Sequence, residues 1–330
     1  MIKKLYIYHT KNMIFLNRAA IENIVSLEEV MDSVENAFLA YENNNFVMPD
    51  RIHVNNKENT LLYMPCFTDE IFGTKSLTLF PKNSQIGKPV IDGFMTLNDP
   101  NTGEPLAMID GKTLTELRTG AVGGVGAKHL SEKDSSTLGL IGAGVQGFQQ
   151  ILFISKVRPI KKVKIYGSNI EKLKDFSNRL KKKIDIEVVI CRSVEEVLDG
   201  TDIMITATSS ANPVLPNKAE LLKGKTFIGI GSYKPTMREF PKEIYSLLDK
   251  IYTDTYFAKE ESGDLCYPLS EGLIKEEQIH TIGSFLNSEE KKIDETVFFK
   301  SVGMALLDLY VAKTIYEKAV QLNIGQKINI

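Results

Sequence analysis

The chain has 330 residues, 43% of them hydrophobic, with 40 basic and 42 acidic side chains and a formal net charge of −2. At roughly 100–200 residues per domain, that length predicts two domains with cores large enough to need no staples. The balanced charge gives no electrostatic reason to expect a nucleic-acid partner.

Cys66, Cys191 and Cys266 lie far apart without CxxC spacing, which excludes a disulfide framework and fits a reducing compartment. His9, His53, His129 and His280 are equally scattered, so no HxxxH pair and no dedicated metal site is expected. No apolar run reaches the ~18 residues that cross a bilayer. The start, MIKKLYIYHTKNMIFL, is basic and partly apolar, but polar residues break it and no small-residue cleavage site follows. These features predict a cytoplasmic globular protein with no membrane partner.

Residues 26–43 (SLEEVMDSVENAFLAYEN) predict a helix, with Ser26 and Glu29 spaced as a capping box and Val30, Val34, Ala37, Phe38 and Tyr41 at helical period. After Pro49 the pattern shortens. TLLYMPC, TKSLTLF, VIDGFMTLND and PLAMID predict strands. NDPNTGEP between the last two is a hairpin turn that Asp99-Pro100 opens and Gly103 closes. This part is expected to be a small, mostly antiparallel sheet flanked by helices. Residues 114–129 (LTELRTGAVGGVGAKH) predict a helix in spite of four glycines. Each costs ~1 kcal/mol of helix propensity, a cost that close packing against a second helix or a ligand would offset.

From Ser136 the pattern alternates. STLGLIGAG, KVKIYGS, IEVVICRS, TDIMITATS and KTFIGIGS predict strands, separated mostly by helix-like stretches. Such alternation predicts a doubly wound α/β fold with a parallel sheet. The last segment, VFFKSVGMALLDLYVAKTIYEKAVQLN (297–323), reads as one long helix.

Gly142-Ala143-Gly144-Val145-Gln146-Gly147 form a GxGxxG between an apolar strand and a helix. In that context the glycines allow a tight turn, close approach of a pyrophosphate and close helix packing. The helix N-terminus adds backbone N–H donors and a favourable dipole. Dinucleotide binding is therefore expected. NAD sites usually carry Asp or Glu ~20 residues after the glycines. Here the second strand runs into Gly167, Ser168 and Asn169. Without an acid to repel a 2′-phosphate, and with Ser168 and Asn169 able to bond one, NADP(H) is favoured over NAD(H). The arginine that NADP sites place near the 2′-phosphate is missing here, and Lys172 is either its substitute or a solvated helix residue.

Three cations stand out earlier: Arg51 after MPD, Lys75 in GTKSLTLF and Arg118 in ELRTGA. Charge-assisted bonds to a substrate carboxylate need such donors. In order, Arg51, LLYMP (61–65), TKSLTLFPKN (74–83), LNDPNTGEPLAMIDG (97–111), LRTGAV (117–122), IGAGVQG (141–147), GSYKPTMRE (231–239) and SVGMALLD (301–308) resemble the ornithine cyclodeaminase/mu-crystallin family over nearly the whole chain.

The resemblance implies a Rossmann domain over residues 126–304 and an α+β substrate and dimerisation domain built from residues 1–125 and 305–330. It implies a homodimer. It places substrate-carboxylate ligands on Arg51, Lys75 and Arg118, the pyrophosphate on 142–147, the cofactor border on Thr208 and Ser209, and the approach to the nicotinamide on Gly303 and Met304. Ornithine cyclodeaminases and archaeal alanine dehydrogenases of the family carry an active-site Asp where this sequence has Tyr233, aligned on Gly231 and Pro235. A phenol of pKa ~10 is a poor general base at neutral pH, so Tyr233 is read as a hydrogen-bond donor or a packing residue. Glu239 and Asp254 lie nearby in sequence without an assigned place. Phe80, Met95 and Tyr233 are candidates to line the pocket, with core packing the default for Phe80 and Met95.

The expected activity is NAD(P)H-dependent reduction of a small α-imino acid, a ketimine or Δ1-pyrroline-2-carboxylate, with Arg118 and Lys75 at the reaction centre and Lys75 as a possible proton donor. The alternatives are an ornithine cyclodeaminase, an amino-acid dehydrogenase, and a cofactor-bound ligand-binding protein without significant turnover.

Overall fold

The computed structural model describes residues 12–289 and 293–329. Most of the basic start of the chain, with His9, lies outside the described residues. The chain divides into two compact units. The first comprises residues up to Ser26, Asn45–Thr115 and Asp308 onward, and the second Leu27–Asn44 and Glu116–Leu307.

The first unit is built on a seven-stranded sheet of β1 (Asn12–Leu16), β2 (Ile52–Asn56), β3 (Asn59–Phe67), β4 (Phe72–Leu79), β5 (Ile91–Asn98), β6 (Pro105–Asp110) and β15 (Gln326–Asn329). The order is β15-β1-β6-β5-β4-β3-β2. Only β1 and β6 pair in parallel, because the other connections are hairpins or join the chain ends. In the β5–β6 turn, Asp99 Oδ1 accepts from the Asn101 and Thr102 amides at 2.9 Å, and Gly103 takes φ +75°. The register sets Met64, Lys75, Met95 and Ile109 side by side on the buried face. Ile52, Tyr63, Ser76 and Phe94 form a row on the other face, with the three apolar members exposed.

The second unit holds β7 (Thr137–Ile141), β8 (Lys162–Tyr166), β9 (Glu187–Ile190), β10 (Ile203–Thr206), β11 (Thr226–Gly229), β12 (Ile251–Thr253), β13 (Ile279–Thr281) and β14 (Val297–Lys300). All pairings are parallel, in the order β13-β12-β14-β11-β10-β7-β8-β9. This is the doubly wound Rossmann arrangement. Its strand order reverses between β7 and β10, where ligands bind beyond the carboxyl ends of the strands.

Two expectations change. Residues 297–323 are not one helix: Val297–Lys300 is a fully buried strand between β11 and β12, and the helix runs Ala305–Leu322. A short apolar run has no periodicity to separate a buried strand from a helix.

The helix Leu27–Glu42, expected with residues 1–125, falls in the second unit. There Thr281 Oγ1 donates to Glu42, the Tyr41 hydroxyl lies 3.0 Å from Thr255 Oγ1, and Met31 packs on Gly124. The two compact units change over at 26/27, 44/45, 115/116 and 307/308.

The helix Gly111–Leu130 does contain its glycines. A Cβ on Gly123 would sit 1.5 Å from Gln150 Oε1, and one on Gly126 2.5 Å from the Phe299 ring. Close packing is thus what the small residues provide. Among the described residues, no helix is long and apolar enough to cross a membrane.

Candidate active site

The glycine loop leaves β7 at the switch point. Gly142 holds φ +104°, and a Cβ there would lie 2.4 Å from the Ala207 carbonyl oxygen, so the loops after β7 and β10 touch. A Cβ on Gly147 would lie 2.4 Å from the Gly142 carbonyl oxygen, which explains how the helix Val145–Val157 can start so close to the strand. At Gly144 a Cβ would meet nothing within 4 Å. Gly144 is the N-cap of that helix, and no side chain caps it. Val145 stands exposed beside it, and Gln146 Oε1 is buried with no hydrogen-bond partner. A helix start with no side-chain cap and an open approach fit the pyrophosphate end of a dinucleotide.

Past β8, Ser168 and Asn169 are exposed. Asn169 Oδ1 accepts from the Lys172 amide at 3.0 Å as N-cap of the helix Ile170–Lys181. Its oxygen therefore serves the helix, and Ser168 is the more available of the two.

Thr208 and Ser209 follow β10. Thr208 is fixed by Glu239, whose Oε1 accepts from the Thr208 amide at 2.7 Å and from its hydroxyl at 2.8 Å. Glu239 Oε2 accepts from the Gly231 amide at 2.8 Å and the Ser232 amide at 3.2 Å. One buried carboxylate thus joins the loops after β10 and β11. Tyr233, on the second of these loops, is 37% exposed, with Lys234 Nζ 5.8 Å from its ring centroid.

Gly303 and Met304 follow β14. Asp254 Oδ2 accepts from the Ser301 hydroxyl at 2.6 Å, the Val302 amide at 3.1 Å and the Gly303 amide at 2.6 Å. Gly303 holds φ +79°, and a Cβ there would lie 2.5 Å from Arg118 Nη1. Arg118 and Gly303 are therefore in direct contact.

A third carboxylate, Asp264, accepts through Oδ1 from the Glu239 amide at 2.7 Å and the Phe240 amide at 3.1 Å. Its Oδ2 lies 3.8 Å from Lys300 Nζ. Burial pushes Asp264 up to about 6, against the opposing pull of Lys300. The fully buried Lys300 ammonium is itself pushed down by desolvation, while Asp264, Glu239 and Asp254 favour its charge.

In the first unit, Lys75 Nζ donates to Asp308 Oδ2 at 2.5 Å, with the side chains 1% and 0% exposed. Burial, reinforced by Asp308, pushes the Cys66 thiol up to about 12, so it is not a nucleophile at neutral pH. Arg51 is half-buried at the entry to β2. Met95 is core, beside Lys75, whereas Phe80 is 38% exposed rather than packed in the core.

The glycine loop, Thr208, Gly231, Gly303 and Arg118 thus belong to the second unit, and Arg51, Lys75 and Asp308 to the first. Sequence reasoning passed over Asp308 and left Glu239 and Asp254 unplaced. The signal available for Asp308 was its position at the end of SVGMALLD.

Residues 11–323 match the ornithine cyclodeaminase/mu-crystallin family. The chain is 36% identical over 317 residues to a Delta(1)-pyrroline-2-carboxylate reductase of Bacillus cereus, covering 93% of this chain and 96% of that one. It is 33% identical over 322 residues to an alanine dehydrogenase of Archaeoglobus fulgidus, covering 96% and 98%. Among solved structures it resembles Thermococcus litoralis Delta(1)-pyrroline-2-carboxylate reductase in complex with NADH and L-proline, with TM-score 0.88, 34% identity and 96% and 100% of the two chains covered. An archaeal alanine dehydrogenase dimer with bound NAD gives TM-score 0.89 at 32% identity, covering 97% and 100%. The chain belongs to the ornithine cyclodeaminase/mu-crystallin family.

Proposed function

We propose that the protein is an NAD(P)H-dependent reductase of a small α-imino acid of the ketimine or Δ1-pyrroline-2-carboxylate type. One observation carries this reading: the likeness to the B. cereus reductase runs almost end to end in both chains. The glycine loop, with its uncapped helix start, is suited to hold the pyrophosphate, and Thr208 and Gly303 line the same carboxyl edge of the sheet.

When bound, a nicotinamide cofactor would supply the hydride for the imine carbon. Arg118, Arg51 and Lys75 are the proposed ligands of the substrate carboxylate. Lys75 Nζ is the proposed source of a proton for the product nitrogen, and Asp308 Oδ2 accepts a hydrogen bond from it in a buried setting. Tyr233 in place of an acid argues against the cyclodeaminase branch, which needs a base for a second amino group.

NADP(H) is the preferred cofactor in this reading, on the absence of an acid after β8 and the exposure of Ser168. The exposed row of Ile52, Tyr63 and Phe94 supports assembly as a homodimer.

The test is a screen of the purified protein with Δ1-pyrroline-2-carboxylate and open-chain ketimines, using NADPH and NADH in parallel. Consumption of reduced cofactor with a cyclic imino acid is expected, faster with NADPH. Ammonia release from ornithine without net cofactor turnover, or no turnover on any imine, would overturn the reading.

A further inference from the structure

Arg118 sits on the long helix Gly111–Leu130, whose glycines lock it against Gln150 and Phe299. The far end of its side chain rests on Gly303. A Cβ built on Gly303 would lie 2.5, 3.1 and 3.2 Å from Nη1, Nη2 and Cζ of Arg118. With three guanidinium atoms this close to one point, the Gly303 backbone is the seat on which the guanidinium lies.

Gly303 is in turn held in a left-handed conformation that disfavours side chains. The hold comes from Asp254. Its Oδ2 takes hydrogen bonds from Ser301 Oγ, the Val302 amide and the Gly303 amide, and the side chain is 1% exposed. A neutral amide in its place has one acceptor oxygen instead of two and no charge to strengthen the bonds.

We propose that Asp254 is a positioning residue for Arg118, acting through the backbone of Gly303. Asp254 is 1% exposed and its carboxylate is turned to residues 301–303. It fixes the height of the seat, and the seat fixes where the guanidinium meets a carboxylate. The inference rests on the reading that Arg118 binds the substrate carboxylate. It gives Gly303 a second duty besides any approach to the nicotinamide: a residue with a side chain there would push Arg118 off its site.

The test is a double-mutant cycle read by calorimetric binding of pyrrole-2-carboxylate, a planar and unreactive carboxylate, to the NADPH-loaded protein. Asp254→Asn is expected to weaken binding about 5-fold and Gly303→Ala about 10-fold or more, on the scale of a charge-assisted hydrogen bond. In an Arg118→Ala background both effects are expected to vanish. Equal fold-losses with and without Arg118 would overturn the proposal, as would unchanged affinity in Asp254→Asn accompanied only by a lower Tm.

A crystal structure of Asp254→Asn provides a readout that needs no ligand. The Arg118 guanidinium is expected to be displaced together with Gly303, and an unmoved guanidinium would sink the idea. If the wild-type protein binds no imino-acid analogue, the functional reading fails, and the displacement alone still decides whether Asp254 positions Arg118.

Discussion

The two units each hold a buried lysine–aspartate pair, Lys75–Asp308 in the first and Lys300–Asp264 in the second, but differ in what their other buried acids do. In the first, one side chain meets another: Lys75 and Asp308, 233 residues apart, form a closed ion pair under the antiparallel sheet. In the second, Glu239, Asp254 and Asp264 spend most of their acceptor capacity on backbone amides of loops at the carboxyl edge of the parallel sheet. The first arrangement neutralises a cation carried by β4. The second holds loops in shape. Depth of burial alone therefore does not reveal which acid or base takes part in a reaction.

The sharpest way to break this comparison is Asp308→Ala. It leaves the Lys75 ammonium buried without its counter-charge, and a loss of about 3–5 kcal/mol is expected in urea unfolding, together with loss of imine reduction. The double variant Lys75→Met/Asp308→Leu is expected to recover most of the stability and none of the activity. Recovery of activity would remove Lys75 from the reaction.

Next comes Arg118→Ala. Losing a charge-assisted bond of about 1.5–3 kcal/mol predicts a KM for the imino acid roughly 10–150-fold higher. Steady-state kinetics with saturating cofactor measures it.

Glu239→Gln probes the loop-holding acids. One acceptor oxygen must be given up by either the Thr208 or the Gly231 loop, so a stability loss of about 1–3 kcal/mol is expected. Weaker NADPH binding by fluorescence titration should accompany it. An unchanged dissociation constant would separate Glu239 from the cofactor edge.

The remaining effects are in pH dependence, and they have opposite signs. Asp264 is raised by burial from 3.8 to about 6, so the native state holds its proton more tightly than the unfolded chain does. Its contribution to stability therefore falls as pH rises from about 4 to 6, and Asp264→Asn should flatten that slope in denaturation measured across this range. Glu35 is lowered from 4.5 to about 2, first by its hydrogen bond with His129 and then by Lys128. Its contribution is present above 4.5 and is lost as pH falls toward 2, a loss that Glu35→Gln should remove.

Where local chemistry decides structure, the sequence was readable. Asp99 and Gly103 announced their turn, and the glycines of 142–147 announced theirs, because each acts within a few residues. The family resemblance singled out Arg118 and Lys75. Other features depended on distant partners. Three-residue strands such as β12 and β13 are too short to carry a period, and VFFK looks helical until β11 and β12 enclose it. The helix Leu27–Glu42 shows a clear apolar face, yet nothing within it says that its partners are Thr255 and Thr281. Asp254 gave no sign of its role because the amides it binds lie 48 and 49 residues away.

The pairing of β1 with β15 brings translation into the picture. The first unit's sheet starts with β1, but its edge strand β15 and the Asp308 partner of Lys75 are made only after the second unit's strands. The second unit ends at Leu307. Domains fold as units while synthesis proceeds at ~5–20 residues per second. The parallel-sheet unit can thus be complete while the earlier-made sheet still waits with an unneutralised lysine. Truncations between Leu307 and β15 should therefore injure a sheet whose other strands were synthesised earlier.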